Sequence, residues 1–193
     1  MAAVDLGANA LGFILVPDTP RYVGENPDIV SVLQHIPPFV TRVAVCRQVE
    51  DLSEKLAAYF DAVQYYSGSS WHGAWAKKQA MQAIRVRDQR SLDSVDWRTI
   101  TANAVVLDAY HPEMLGGTGN TVDWELALQA RQRCEQPLVL AGGLTPENVA
   151  DAIRAVRPYA VDVSSGVESE PGVKDIDKLR RYIRAVRDAD DSI

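Results

Sequence analysis

The chain has 193 residues, enough for one domain with a sizeable core. Its composition, 47% hydrophobic and 24% charged, is that of an ordinary globular protein, and its net charge of −6 argues against a nucleic-acid groove or an anionic membrane surface as partner. Two cysteines, Cys46 and Cys134, are too few for a disulfide framework and wrongly spaced for zinc, which points to a reduced cytoplasmic setting and to no metal.

The chain opens on Ala2-Ala3-Val4-Asp5-Leu6-Gly7, which reads as the last turn of a helix stopped by Gly7. No strand precedes that turn, so the sequence reads as if it starts partway through a strand–helix unit. The apolar run 10–16 follows. It has no basic residue ahead of it, as a leader would, and is too short to span a membrane. Further strands are predicted at 40–46, 61–66, 81–86, 103–108, 137–141 and 159–163, each short, rich in branched residues and bounded by turn formers. Helices are predicted between them. One covers 27–36, and one covers 50–60 with Leu52, Leu56 and Tyr59-Phe60 on one face. Others cover 122–133, 146–156 and 175–187. Thr145 is the expected N-cap of the fourth, with Pro146 at its first position. Asp175 or Lys174 opens the last, whose buried stripe reads Ile176, Leu179, Ile183 and Val186. The stretch 66–78 has room for a short helix. Strict alternation of this kind specifies a parallel α/β sheet with right-handed crossovers, in a single domain over 1–193.

In such folds sites gather where strands end, so strand exits are the places to look. The run Val105-Val106-Leu107 ends at a lone carboxylate, Asp108, ahead of the glycine-rich Gly116-Gly117-Thr118-Gly119. Two later exits, Ala141-Gly142-Gly143-Leu144-Thr145 and Val163-Ser164-Ser165-Gly166, offer backbone N–H groups with few side chains in the way. A phosphate at such turns gains fixed hydrogen bonds and a favourable dipole contribution of roughly 0.3–1 kcal/mol. One such loop alone reads first as a tight turn; two on successive final strands match a barrel phosphate site.

The stretch LAGGLTPENVADAIRAVRPYAVDVSSGVESEPGVKD, with VVLDA and GGTGNTVDW before it and LGFILVPDTPRYV near the start, closely resembles the phosphoribosylanthranilate isomerases. The resemblance covers essentially the whole chain. It implies a (β/α)8 TIM-type barrel whose first strand is missing from residues 1–193, and a phosphosugar substrate with no cofactor. The reaction it implies is an Amadori rearrangement in tryptophan biosynthesis, turning an aminoaldose into an aminoketose. By this resemblance Asp108 is the general acid, with a pKa that partial burial would raise. Arg21 is the arginine that meets the anthranilate carboxylate, which a guanidinium fork suits. Gln64 is kept from the family's pocket, Gly142, Gly143, Ser164, Ser165 and Gly166 fall on the phosphate loops, and Gly116 and Gly117 on the segment beside the acid.

The sequence departs from the family in three places. The family's first strand ends Lys-x-Cys-Gly and supplies the general base, and nothing in 1–193 matches it. Tyr65-Tyr66 stand where the family has leucine and histidine after Gln64, and the exit at Cys46-Arg47-Gln48 also differs. Cys46 itself reads as a buried thiol, not a replacement base, and His35 as a helix-end surface residue. The alternative function is therefore a phosphosugar-binding homologue that lacks turnover.

Overall fold

The structure is a computed structural model that describes residues 1–67, 73–108 and 124–192. Seven strands pair in sequence order: β1 (Ala10–Ile14), β2 (Thr41–Cys46), β3 (Ala62–Tyr65), β4 (Gln79–Arg85), β5 (Ala104–Asp108), β6 (Leu138–Ala141) and β7 (Ala160–Val161). Every pairing whose register is defined in this sheet is parallel. The chain forms two compact units, Met1–Gln82 and Ala83–Ile193, and β4 crosses the boundary.

In the first unit, helix α1 (Ala2–Leu6) ends as its sequence dictates. Gly7 turns left-handed (φ 101°), its N–H bonds to the carbonyls of Ala3 and Val4, and Ala8 closes back on Ala3. Side chains then divide by parity. Leu11, Phe13, Leu15, Ala44, Cys46, Val63 and Tyr65 point into one apolar core with Ile29, Leu33, Phe60 and Trp75. Phe60 anchors that core, edge-on to Phe13 at 5.8 Å and tilted against Trp75 at 5.9 Å. The alternate residues, among them Gln64, face the other side of the sheet. Arg42 and Asp61 lock β2 to the start of β3, with Nε and the terminal nitrogen donating to the two carboxylate oxygens at 2.8 and 2.7 Å.

Two helices of this unit differ from the sequence reading. Helix α2 spans Ile29–Gln34 and not 27–36, because Asn26 takes the Asp28 N–H on its side chain and the Ile29 N–H on its carbonyl. The stretch 50–60 is two 3-10 turns, Val49–Asp51 and Glu54–Tyr59, parted by extended backbone at Leu52 and Ser53. That break lets Leu52, Ala57 and Phe60 all reach the core, a spacing one α-helix would not serve. The stretch 66–78 yields a short 3-10 turn, Trp75–Lys77, with 68–72 outside the described residues.

In the second unit, Val105 and Leu107 of β5 and Leu138 and Leu140 of β6 are fully enclosed. Against this unit's core pack α4 (Trp124–Arg133) through Leu126, Ala127 and Ala130, and α5 (Val149–Val156) through Val149, Ala152, Ile153 and Val156. Helix α6 (Ile176–Asp190) opens on Asp175, whose carboxylate caps the N–H groups of Asp177 and Lys178. Its buried stripe is Leu179, Tyr182 and Ala189, with Ile183 and Val186 half-buried; Ile176 is exposed, so the apolar face is rotated from the one predicted. Some elements were not predicted. Helix α3 (Gln89–Asp93) starts from a reciprocal Asp88–Ser91 capping box, and strands β8 (Glu168–Glu170) and β9 (Val173–Lys174) form an antiparallel hairpin.

Candidate active site

The strand exits of the second unit bring several polar groups to one side of the sheet. Asp108 ends β5 opposite Ala141, and the N–H of Asp162 bonds to the Leu140 carbonyl, so Asp108, Ala141 and Asp162 share a face. That is the face turned away from the enclosed Val105, Leu107, Leu138 and Leu140. Asp108 is partly buried, its side chain 20% exposed, as an acid at a strand tip should be. The Nε of Arg85, at the end of β4, lies 3.6 Å from Asp108 Oδ2, too long for a hydrogen bond and on a largely exposed side chain.

Asp162 was not singled out from the sequence, although a carboxylate inside a buried-strand pattern is itself a flag. Asp162 is exposed by accessible surface, yet many protein atoms surround its carboxyl. That burial pushes its pKa up; the Asp108 carboxylate acts the same way, while Lys174 and the Val163 N–H oppose. The shared face brings the two acids to one side of the sheet.

The two glycine turns fit each other. Gly142 and Gly143 both take positive φ, 88° and 65°, a pair of left-handed steps that only glycine makes without strain. Asn148 ties this turn down: its side chain accepts from the Thr145 N–H at 2.8 Å and donates to the Gly143 carbonyl at 3.0 Å. This is also why α5 starts at Val149 and not at Pro146. Thr145 through Asn148 form a turn, and the Thr145 hydroxyl accepts from Glu147 N–H ahead of the helix proper. On the second turn, a Cβ added to Gly166 would collide with the Leu144 carbonyl. No other residue allows the turns to approach so closely, so the predicted pair behaves as one structure.

Arg21 and Gln64 belong to the first unit. Arg21 lies half-buried in the turn after β1, which is shaped by the Thr19 hydroxyl on the Val16 carbonyl (2.9 Å) and by Tyr22 N–H on Thr19. Gln64 sits on β3 in register with Val45 and Met81. Tyr65 points into the core, and Tyr66 follows the end of β3 in a bend. Cys46 is a structural thiol: fully buried among the core residues, its Sγ donates to the Gln64 carbonyl at 3.5 Å, and burial pushes its pKa up to about 12. His35 ends α2 with Nδ1 on the Ser31 carbonyl. Gly116 and Gly117 lie outside the described residues. Among the described residues no helix is long and apolar enough to cross a membrane.

A parallel α/β sheet with an acid at one strand exit and interlocked glycine turns at the next two is the arrangement of the α/β class whose sites gather at strand exits. Residues 1–185 match the family model for N-(5'phosphoribosyl)anthranilate (PRA) isomerase, and the chain belongs to that family. The N-(5'-phosphoribosyl)anthranilate isomerase of Trichlorobacter lovleyi is 40% identical over 194 residues, covering 98% of this chain and 92% of its own. The crystal structure of phosphoribosyl anthranilate isomerase from Thermotoga maritima superposes with a TM-score of 0.79 at 36% identity, covering 97% of this chain and 92% of that one. A phosphoribosyl anthranilate isomerase in complex with reduced 1-(o-carboxyphenylamino)-1-deoxyribulose 5-phosphate also superposes, with a TM-score of 0.75 at 34% identity, covering 97% and 91%.

Proposed function

We propose that the chain is an isomerase of tryptophan biosynthesis, acting in the cytoplasm on N-(5'-phosphoribosyl)anthranilate by an intramolecular aldose–ketose rearrangement. Residues 1–193 work as one domain of the TIM-barrel type. The observation that carries this reading is the placement of Asp108 at the exit of β5, with the interlocked turns after β6 and β7 in the same unit.

The chemistry that the family resemblance implies assigns a role to each of those positions. Ser164, Ser165, Gly166, Gly142 and Gly143 hold the phosphate, and Arg21 meets the anthranilate carboxylate with a bidentate fork. Gln64 lines the pocket, and Gly116 and Gly117 belong to the loop beside the acid. Asp108 protonates the furanose ring oxygen; the C1'–O bond breaks as the anthranilate nitrogen forms the C=N bond. Loss of the C2' proton then gives an enolamine, which tautomerises to the ketone. The removal of that proton is assigned to no residue of 1–193, since Lys-x-Cys-Gly has no counterpart there.

Replacing Asp108 with Asn tests the reading. Turnover falls by roughly 10²–10⁴, the usual contribution of general acid catalysis, while the affinity for the reduced product analogue stays within a few-fold. Turnover within tenfold of the parent overturns the assignment. Analogue binding by the parent without any turnover would favour the phosphosugar-binding alternative.

A further inference from the structure

Behind the second glycine turn lies a charged cluster that the reaction does not use. Glu168 is buried, its side chain 5% exposed, and it pairs with Lys174 at 2.9 Å. The two stand directly opposite in the β8–β9 hairpin, so the hairpin fixes the geometry of the pair. The same Lys174 Nζ donates to the Ser164 carbonyl at 2.9 Å. Val167 N–H reaches that carbonyl too, but at 3.5 Å, so the ammonium makes the shorter bond. Two further ties hold the hairpin in place: Lys178 of α6 donates to the Glu168 carbonyl at 2.8 Å, and Asp175 N–H to Val167 at 2.9 Å.

We propose that Lys174 is a positioning residue for the phosphate turn: braced on the buried Glu168, it pins the Ser164 carbonyl and thereby fixes the direction of the Ser165 amide. The proposal rests on the reading of Ser164–Gly166 as a phosphate-binding turn. Its physical basis is the planar trans peptide, in which the carbonyl of one residue and the N–H of the next point to opposite sides. Drawing the Ser164 carbonyl toward the hairpin therefore aims the Ser165 N–H away from it. The other end of the turn is held separately, by Gly166 against the Leu144 carbonyl. A turn fixed at both ends presents its amides without first having to order them, which is how a preorganised site gains affinity. Burying a carboxylate is costly unless it is paired. A surface ion pair would stabilise the hairpin without burying Glu168; burial gives the ammonium one fixed position from which to reach Ser164.

The test is the dissociation constant of inorganic phosphate, measured by titration calorimetry alongside the melting temperature. Lys174→Met alone strands Glu168 without its cation and endangers folding, so the informative change is the double variant Glu168→Gln/Lys174→Met, which removes both charges. It melts cooperatively yet binds phosphate about tenfold more weakly or worse, the scale of one lost charge-assisted hydrogen bond. Lys174→Arg, which keeps a cationic donor, recovers most of that loss. Glu168→Gln alone leaves Lys174 unbraced and gives an intermediate affinity. Phosphate affinity within twofold of the parent in both the double variant and Glu168→Gln overturns the proposal. A parent protein that binds no phosphate overturns the phosphate-turn reading, and the proposal with it.

Discussion

Asp162 shows how one side chain at a strand exit can carry a folding cost. Its pKa lies above the ordinary 3.8, first because burial penalises the charged form and then because Asp108 repels it; Lys174 and the Val163 N–H pull the other way, and Tyr182 adds a buried hydroxyl within its field. A carboxyl with a raised folded-state pKa favours the folded state most when it is protonated in both states. That contribution is complete below the unfolded value and is lost as pH rises through the folded one. Relative to Asp162→Asn, the parent should therefore lose stability as pH climbs from about 4 toward neutrality. Urea denaturation of both proteins across that range reads the difference directly. A flat difference would mean that the exposed surface of Asp162, and not its buried surroundings, governs the carboxyl. Cys46 illustrates the opposite case. It ends a strand, where a nucleophile or base would be sought, but parity turns it into the core, out of reach of Gln64's face of the sheet.

Strands β5 and β6 were legible in the sequence because burial on both faces leaves little choice of residue. All seven strands overlap the predicted runs, including the more exposed β1, β4 and β7. Helix starts were less legible. Asn26 and Asn148 each spend side-chain bonds on the N–H groups that a helix would leave free, and so delay α2 and α5. The β8–β9 hairpin was missed because strands of two or three residues carry no periodicity, although Pro171-Gly172 marks its turn. With the hairpin went Lys174 and Glu168, whose meaning lies in a contact across it and not in their neighbours along the chain. Asp108 and the glycine turns, by contrast, announce themselves locally. Asn148 makes the case for testing at this scale. Asn148→Ala removes one bond from the Thr145 N–H and one from the Gly143 carbonyl, each worth about 0.5–1.5 kcal/mol. The Gly142–Gly143 turn then loosens, and phosphate affinity falls roughly five- to tenfold, as calorimetry would show. An unchanged affinity would mean that the glycine conformations hold the turn unaided.

At the scale of the molecule, the proposed substrate has two anionic groups, and the proposed assignment gives the carboxylate to Arg21 and the phosphate to the Gly142–Gly143 and Ser164–Gly166 turns. This division predicts a pattern that no single affinity could give. Inorganic phosphate at about 100 times its dissociation constant stabilises the parent by about 2.7 kcal/mol, a melting shift of roughly 5–10 °C. Arg21→Ala should keep that shift in full, because phosphate has no carboxylate for the guanidinium to meet. The same variant should bind the reduced product analogue roughly 10- to 100-fold more weakly, the scale of a lost bidentate ion pair. Gly166→Ala, which drives a methyl group into the Leu144 carbonyl, should weaken both ligands together, since both carry the phosphate. Thermal shift and calorimetry on the two variants with the two ligands give four measurements, each with its own expected sign. If Arg21→Ala abolished the phosphate shift, Arg21 would be a structural residue of the protein and the division of labour between the anions would be wrong.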